Sequence, residues 1–290
     1  MATTEELEAK VRAEWPQFTY LLSEPELRTL LLDAVDPDKG FSADEFQARF
    51  QATNWYRTHS DATRSWEALS NADPASAERQ LQQLTTDMQQ IGAEIGLPSG
   101  TNYRHFAWFS LQGGLSATEQ RRLLAGQVRL TEPDAPAGDM GQTMDEIRRM
   151  ARSEFLVPLS EQDVLTWAKT VVMGDMTMDS VKANLAGLSK GRFGHLSSQI
   201  DQGLTPGAYF APYRQLIADE MEVGSDAVDL LDPQYADILS KADGDKVRAM
   251  TLSEAQKYVR TKPEWEKTSR AKGMAAQLGN ELLRTFGALA

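Results

Sequence analysis

Side chains capable of metal, acid–base or nucleophilic chemistry are scattered along this sequence and form no motif. The three histidines, His59, His105 and His195, are each isolated from any other histidine or acid at metal-ligand spacing, and cysteine is absent. No Gly-x-Ser-x-Gly elbow, phosphate loop or dinucleotide-binding turn occurs. We therefore expect no catalytic residue, no cofactor and no metal ligand, and we predict that the chain is not an enzyme.

Carboxylates are numerous enough to leave one kind of chemistry open. The 42 acidic side chains could include the two paired acids of a glycosidase, because such a pair needs proximity in the fold and no fixed spacing in sequence. Most of these acids fall in predicted first helical turns, where they complement the helix dipole. We favour the helix-capping role.

Two acidic stretches resemble calcium loops but fail on register. Such a loop has oxygen ligands at positions 1, 3 and 5, Gly at 6 and a bidentate acid at 12. Counted from Asp36, position 6 is Phe41 and position 12 is Gln47. Counted from Asp243, Glu254 does fall at position 12, but valine and arginine take positions 5 and 6. Capped helix starts after acidic turns explain both stretches better than calcium does.

A basic segment reverses the local sign of a chain whose net charge is −12. Its six basic side chains are Lys257, Arg260, Lys262, Lys267, Arg270 and Lys272. They predict an interaction site that docks onto an acidic surface of another copy, head to tail, or that touches nucleic acid. Pairing within the chain to the acidic stretch 226–232 is the alternative. If the segment mediates assembly, charge reversal at Arg260 and Lys267 should abolish it.

Helix-type periodicity dominates the chain and predicts an all-α fold of two helical domains built from capped helical hairpins. Four apolar residues followed by Ser or Thr mark helix starts. They are Phe41-Ser42, Met176-Thr177, Leu204-Thr205 and Met250-Thr251. Ser42 and Thr251 have glutamates three residues on, which predicts capping boxes there, and further boxes are predicted at Ser116–Glu119 and Thr143–Glu146.

A linker divides the two predicted domains. Residues 131–141 contain two prolines, two glycines and almost no bulky apolar side chain. We predict an N-terminal helical domain over residues 1–130, a linker over 131–142 and a C-terminal helical domain over 143–290.

A degenerate internal repeat links the two domains. The stretch that begins at Ser42 and the one that begins at Thr251 share a cap, Glu, Gln, Trp, a basic residue and Thr when one residue is inserted. The trailing units are residues 55–58 and 265–268. There we expect Trp55 and Trp265 to be buried and Thr58 and Thr268 to cap the following helix; chance similarity between two capped helices stays the alternative.

Charge and hydropathy limit the partners. A net charge of −12 opposes non-specific attraction to nucleic acid or anionic lipid, so a nucleic-acid partner is disfavoured. Apolar stretches such as residues 155–157 fall far short of the roughly 20 residues that span a bilayer, so we expect no membrane span.

Four segments of the sequence carry a resemblance to known proteins. The first is NWYRTHSDATRSWE, residues 54–67, followed by Asp73-Pro74-Ala75. The others are FLVPLSEQDVLTWAKTVVMGDMT, IDQGLTPGAYFAPYRQLIA and TKPEWEKTSRAKGMAAQLGNELLRTFG. These segments resemble helical virion proteins of tailed bacteriophages, especially those of actinobacterial hosts. In that set of proteins an aromatic pair, a basic residue and Thr precede a helix with Trp next to an acid and an Asp-Pro-Ala turn. Together these segments cover 86 of the 290 residues and are spread along the chain.

The resemblance implies a non-enzymatic structural protein of the particle: an internal virion, minor capsid or tail-associated component. Such a protein is assembled in the host cytoplasm, contacts other virion proteins and is present in several copies. No catalytic residue carries over, because the shared positions read as packing and capping residues. Those positions are Trp55, Arg57, Thr58, Trp66, Trp265 and Thr268. The alternative is a particle-delivered enzyme that degrades peptidoglycan with paired carboxylates.

Overall fold

The computed structural model describes residues 2–39, 41–130, 137–244 and 246–285. Helices dominate these residues, and their one sheet is a two-stranded hairpin, so the predicted all-α class is confirmed. Contacts between Cα atoms divide the chain into two compact units, Met1–Gly141 and Gln142–Ala290. The repeat of helical hairpins stays a prediction.

The N-terminal unit consists of short helices followed by one long one. Its helices are α1 Thr4–Glu14, α2 Pro25–Val35, α3 Ala43–Ala52, α4 Asn54–Thr58, α5 Asp61–Ala72, α6 Pro74–Ile95, α7 Tyr103–Gly113 and α8 Ala117–Ala125, with a 3₁₀ segment over Pro16–Ser23. Apolar side chains of α1, α2 and α4 form one core, which includes Val11, Leu27 and Trp55. Helix α6 packs against α7 at Gly92, where an added Cβ would lie 2.3 Å from Cε1 of Tyr103.

The C-terminal unit is more broken. Helix α9, Gly138–Arg149, begins four residues before the division between the units and continues into this one. The elements that follow are a π-helical turn Met150–Glu154, α10 Glu161–Val172, α11 Met178–Arg192, α12 Ser197–Asp201, α13 Pro206–Tyr209, α14 Ala211–Met221, α15 Ala236–Leu239, β1 Lys241–Asp243, β2 Lys246–Arg248, α16 Leu252–Val259 and α17 Ser269–Thr285. Short 3₁₀ segments lie at Gly194–Leu196, Ser225–Ala227, Pro233–Tyr235 and Trp265–Lys267. Phe193, Phe210 and Ile217 are fully covered in the core of this unit.

Most of the predicted helix starts are confirmed. Ser42, Thr177, Thr205 and Thr251 each accept a hydrogen bond from the backbone N–H three residues on. The capping boxes at Ser116 and Thr251 are complete. At Ser42 half of the box forms, because Glu45 instead accepts a hydrogen bond from Arg49, at 2.7 Å.

The predicted linker and its following cap need correction. Residues 131–136 lie outside the described part of the chain, and residues 138–142 belong to α9. The capping box predicted at Thr143–Glu146 is wrong, because both residues lie inside that helix. Gly138 begins α9 with a positive φ of 56°, close to the end of α6, where an added Cβ would lie 2.1 Å from the carbonyl oxygen of Glu94.

The hairpin of β1 and β2 was not predicted from the sequence. The strands pair antiparallel with Lys241 opposite Arg248. Gly244 adopts the positive φ of 62° that a tight hairpin turn requires. Among the described residues no helix is both long and apolar enough to cross a membrane.

Candidate functional site

The basic segment is organised around one buried carboxylate, that of Glu220. Helix α14 buries Tyr213, Ile217 and Glu220, which are spaced four and three residues apart on one face. The Glu220 side chain is only 2% exposed. A carboxylate at such a depth is expensive to desolvate unless cations and hydrogen-bond donors surround it.

Four side chains supply those donors. The bonds to the Glu220 carboxylate come from Gln256 Nε2 at 2.7 Å, Arg260 Nε and Nη2 at 2.9 and 3.0 Å, Trp265 Nε1 at 3.0 Å and Arg270 Nη1 at 3.1 Å. Arg260 contributes most, and together the donors lower the pKa of Glu220 to about 2 although burial acts in the opposite direction. The carboxylate therefore joins α14 to α16, to the 3₁₀ turn and to α17.

Glu222 continues the same connection. It ends α14 in the left-handed conformation, with φ of 54°, and its carboxylate accepts the backbone N–H groups of Ser269 at 2.9 Å and Arg270 at 2.8 Å. Those two bonds lower the pKa of Glu222. Thr268 is the other cap of α17, because its hydroxyl oxygen accepts the N–H of Ala271 at 3.1 Å. The start of α17 is thus fixed by an acid and a hydroxyl.

The six predicted interaction residues fall into two groups. Arg260 and Arg270 bind Glu220, and Lys262 Nζ donates to the Tyr258 hydroxyl at 2.9 Å. The other three, Lys257, Lys267 and Lys272, are exposed, and their ammonium groups have no hydrogen-bond or ion-pair partner among the described residues.

Intramolecular pairing was foreseen, but with the wrong acids. The partner of Arg260 and Arg270 is Glu220 on α14, and the acidic stretch 226–232 instead supplies Asp229, which accepts from Arg152 at 2.7 Å. The sequence carries one signal for Glu220, namely that it falls on the apolar stripe of its helix. Glu222 has no such signal, because its role depends on the backbone conformation at the helix end.

The trailing units of the predicted repeat differ in the structure. Trp55 is buried beside Phe50, with ring centroids 5.7 Å apart. Trp265 is half-buried, and its indole N–H donates a hydrogen bond to the Glu220 carboxylate. Thr268 caps its helix as predicted. The prediction that Thr58 caps the following helix is wrong, because Thr58 lies in the last turn of α4 and donates its hydroxyl to a carbonyl, and the next helix is capped by Ser60.

Thr53 is the structural counterpart of Thr268. Each donates its hydroxyl to the carbonyl three residues back, at 2.6 and 2.7 Å, and accepts the N–H three residues on, at 3.2 and 3.1 Å. Each also precedes a helix whose first N–H binds a distant glutamate, Glu26 for α4 and Glu222 for α17. The sequence alignment had matched Thr268 to Thr58, five residues too far along the chain.

The two remaining shared positions have different environments. Trp66 is a buried residue of α5, as a packing role requires. Arg57 is exposed on α4 and has no ion-pair partner among the described residues.

A second charge network surrounds Glu254. Its carboxylate accepts from Arg248 at 2.8 and 3.0 Å and from Lys241 at 3.0 Å. Arg248 first, and the Thr251 N–H next, hold the pKa of Glu254 far below its usual range. Glu254 is the acid at position 12 of the calcium loop considered from Asp243, and in the structure it neutralises Lys241 and Arg248 of the β1–β2 hairpin. Within the described ranges, no group of three His, Asp or Glu residues is arranged to hold a metal ion.

A cavity of about 550 Å³ in the C-terminal unit has three carboxylates in its lining, those of Glu161, Asp229 and Asp232. Glu161 and Asp229 are each bound to an arginine, Arg148 or Arg152. The hydrogen bond from Arg148 lowers the pKa of Glu161. Burial is the largest single influence on Asp229 and raises its pKa, but the hydrogen bonds from Arg152 and the Leu231 N–H and the charges of Arg152 and Arg214 together lower it by more, so the net change is downward. A glycosidase general acid needs the opposite shift.

The wall of this cavity has an irregular backbone. The π-helical turn Met150–Glu154 leads to Leu156, which is buried at a positive φ of 51°. Gly207 of α13 lies against that turn, and a Cβ on it would be 2.0 Å from the carbonyl oxygen of Ser153. Tight packing of α13 against the turn therefore positions this wall.

The histidines occupy three unrelated sites. His59 stacks on Trp55 and its Nδ1 lies 2.8 Å from the Trp55 carbonyl oxygen. His105 is exposed beside Trp108 on α7. Neither ring nitrogen of His195 has a hydrogen-bond partner among the described residues, and burial lowers the pKa of this histidine.

The acids and bases of both networks thus hold helices together. Comparisons with protein-family models, with curated proteins and with solved structures gave no match to this chain. The geometry is that of a set of structural ion pairs.

Proposed function

We propose that this chain is a non-enzymatic structural protein of a tailed-bacteriophage particle, acting through protein–protein contacts. The observation that carries the proposal is the resemblance of residues 54–75, 155–177, 200–218 and 261–287 to helical virion proteins. An internal virion, minor capsid or tail-associated position fits that resemblance.

The contacts within these segments support a structural role. In residues 261–285 Trp265 donates a hydrogen bond to Glu220, and Thr268 caps the start of α17. In residues 54–67 Trp55 and Trp66 are buried. Shared residues that pack and cap are what a family of structural modules would retain, whereas an enzyme family would share residues lining a cleft.

The test is quantitative mass spectrometry of purified particles of the phage that encodes this chain. We expect the chain to co-purify with intact particles at a fixed ratio to the major capsid protein, and a copy number of six or twelve would indicate a portal or tail ring. Absence from the particles would overturn the proposal.

Zymography on host peptidoglycan separates this role from the enzymatic alternative. The purified chain should leave the gel uncleared. Clearing that is lost on Glu161→Gln or Asp229→Asn would establish a peptidoglycan-degrading enzyme instead.

A further inference from the structure

Helix α17 presents two apolar side chains that the described residues leave largely exposed. Its first turn is fixed by Glu222 and Thr268, and Ala271 is buried. About two and three turns beyond Ala271, Leu278 and Leu282 are 64% and 57% exposed. They lie four residues apart on one face, the spacing with which a helix inserts anchors into a groove.

Free cations precede this face. Lys267 and Lys272 are exposed and lie within one turn of the α17 start, and their ammonium groups have no partner among the described residues. Arg260 is different because it binds Glu220. Charge reversal at Arg260 would disrupt the fold, so Lys267 and Lys272 are the residues that report on docking.

The N-terminal unit contains an apolar pocket of about 400 Å³. Its lining is mostly aromatic and consists of Trp15, Phe18, Ala34, Phe41, Ser42, Ala43 and Phe46. Trp15 and Phe46 form one wall, with ring centroids 6.2 Å apart. Aromatic pockets of this size take up apolar anchor residues in protein interfaces.

Unpaired acids flank the pocket in the sequence. Glu14 directly precedes Trp15, Asp44 directly follows Ala43, and Asp38 lies three residues before Phe41. These three acids are exposed, and none has a cationic partner among the described residues. Residues 1–50 carry 11 acidic against 5 basic side chains. The region around the pocket is therefore the negative counterpart of the start of α17.

We propose that α17 of one copy docks onto the N-terminal unit of a second copy, with Leu278 and Leu282 in the aromatic pocket and Lys267 and Lys272 facing Glu14, Asp38 and Asp44. The two surfaces differ, so the contact is heterologous: each docked copy leaves one α17 and one pocket free. Such contacts propagate into rings or filaments. This names the partner of the structural role proposed above, and it rests on that role only for its place in a particle.

The contact is small. One helix with two apolar anchors lies at the low end of interface sizes, so a single contact is weak and an array gains by multivalency. Its charged rim makes it salt-dependent, because ions screen exposed charges over about 8 Å at physiological ionic strength. We expect assembly of the full chain in the tens of micromolar range, weakening as salt is raised.

Two variants block the two surfaces separately. Leu278→Ser/Leu282→Ser removes the anchors, and Ala43→Trp fills the pocket mouth from an exposed position; an unchanged circular dichroism spectrum confirms the fold of each. Sedimentation velocity should show wild-type oligomers that grow with concentration, while each variant alone stays monomeric, with the dissociation constant raised by about 30-fold or more. A 1:1 mixture of the two variants should form dimers and no larger species. Each dimer uses the one intact α17, from the pocket variant, and the one intact pocket, from the α17 variant, so no functional surface is left for a third copy.

The other outcomes overturn the proposal. A wild-type chain that is monomeric at 200 micromolar (roughly the upper end of weak contacts) excludes the contact, and a mixture that stays monomeric excludes the pairing of these two surfaces. If one variant alone assembles like wild type, the association is isologous or lies elsewhere. Leu252→Ser, which changes another exposed leucine, is the matched control and should assemble as wild type does. The assay needs no particles, so its failure leaves the virion proposal standing.

Discussion

Replacing Glu220 with glutamine should destabilise the C-terminal unit by an amount that depends on pH. The pKa of this carboxyl is lowered from 4.5 to about 2. At 1.36 kcal/mol per unit, that shift corresponds to about 3 kcal/mol of stability at neutral pH. The figure agrees with the roughly 3 to 5 kcal/mol expected when one partner is removed from a buried ion pair.

The sign follows from the direction of the shift. A carboxyl whose folded pKa is depressed contributes its full stability above the unfolded value and loses it as pH falls through the folded value. From values of 4.5 and about 2, the contribution falls to about 1.4 kcal/mol at pH 3 and about 0.4 kcal/mol at pH 2. The glutamine side chain keeps the shape of Glu220 but directs an NH₂ group at the donors of Arg260 and Gln256.

Urea unfolding of wild type and Glu220→Gln at pH 7, 4 and 3 measures this difference. The gap between the two proteins should be about 3 kcal/mol at pH 7 and should shrink by more than half at pH 3. Glu264→Gln changes an exposed acid in the same segment and should stay within about 0.5 kcal/mol of wild type. A gap below about 1 kcal/mol at pH 7, or one that does not change with pH, would refute the reasoning.

Two further predictions concern a cap and a close approach. Thr53→Val and Thr268→Val should each lower the free energy of unfolding by about 1 to 2 kcal/mol in urea unfolding, because each removes a buried cap. Thr58→Val should lower it clearly less. Equal losses at Thr53 and Thr58 would support the sequence alignment that matched Thr58 to Thr268. Gly207→Ala should lower the midpoint of thermal unfolding by several degrees, because its Cβ would lie 2.0 Å from a carbonyl oxygen. At Gly187, in the open on α11, the same change should raise the midpoint slightly or leave it unchanged.

Helix starts could be predicted from the sequence where the physical cause is local. Ser42, Thr177, Thr205 and Thr251 cap their helices because a side-chain oxygen three residues from a free N–H needs no tertiary partner. The box at Thr143 was predicted on the same grounds and is wrong. The glycines of residues 138–141 indicated a linker, but α9 already begins at Gly138, which lies close to the end of α6, and not at the predicted Thr143.

The ion pairs that hold the C-terminal unit could not be predicted, because they join residues far apart in sequence. Arg260 and Arg270 stood out as charges, but their partner Glu220 lies 40 and 50 residues away. Glu222 binds α17 only because α14 ends in a left-handed residue at that point. The hairpin of β1 and β2 was missed since its strands carry exposed Lys and Arg instead of alternating apolar residues.

The buried carboxylate and the exposed leucines of α17 are connected through the anchoring of that helix. Glu220 and Glu222 bind four groups at or just before the first turn of α17, so the start of the helix is fixed on α14. A helix held at its start loses less conformational freedom on docking than a flexible segment would. The cations therefore have two different roles. Arg260 and Arg270, whose planar guanidinium groups suit a buried carboxylate, fix the helix. In the proposed contact, the exposed side chains of Lys267 and Lys272 face the second copy.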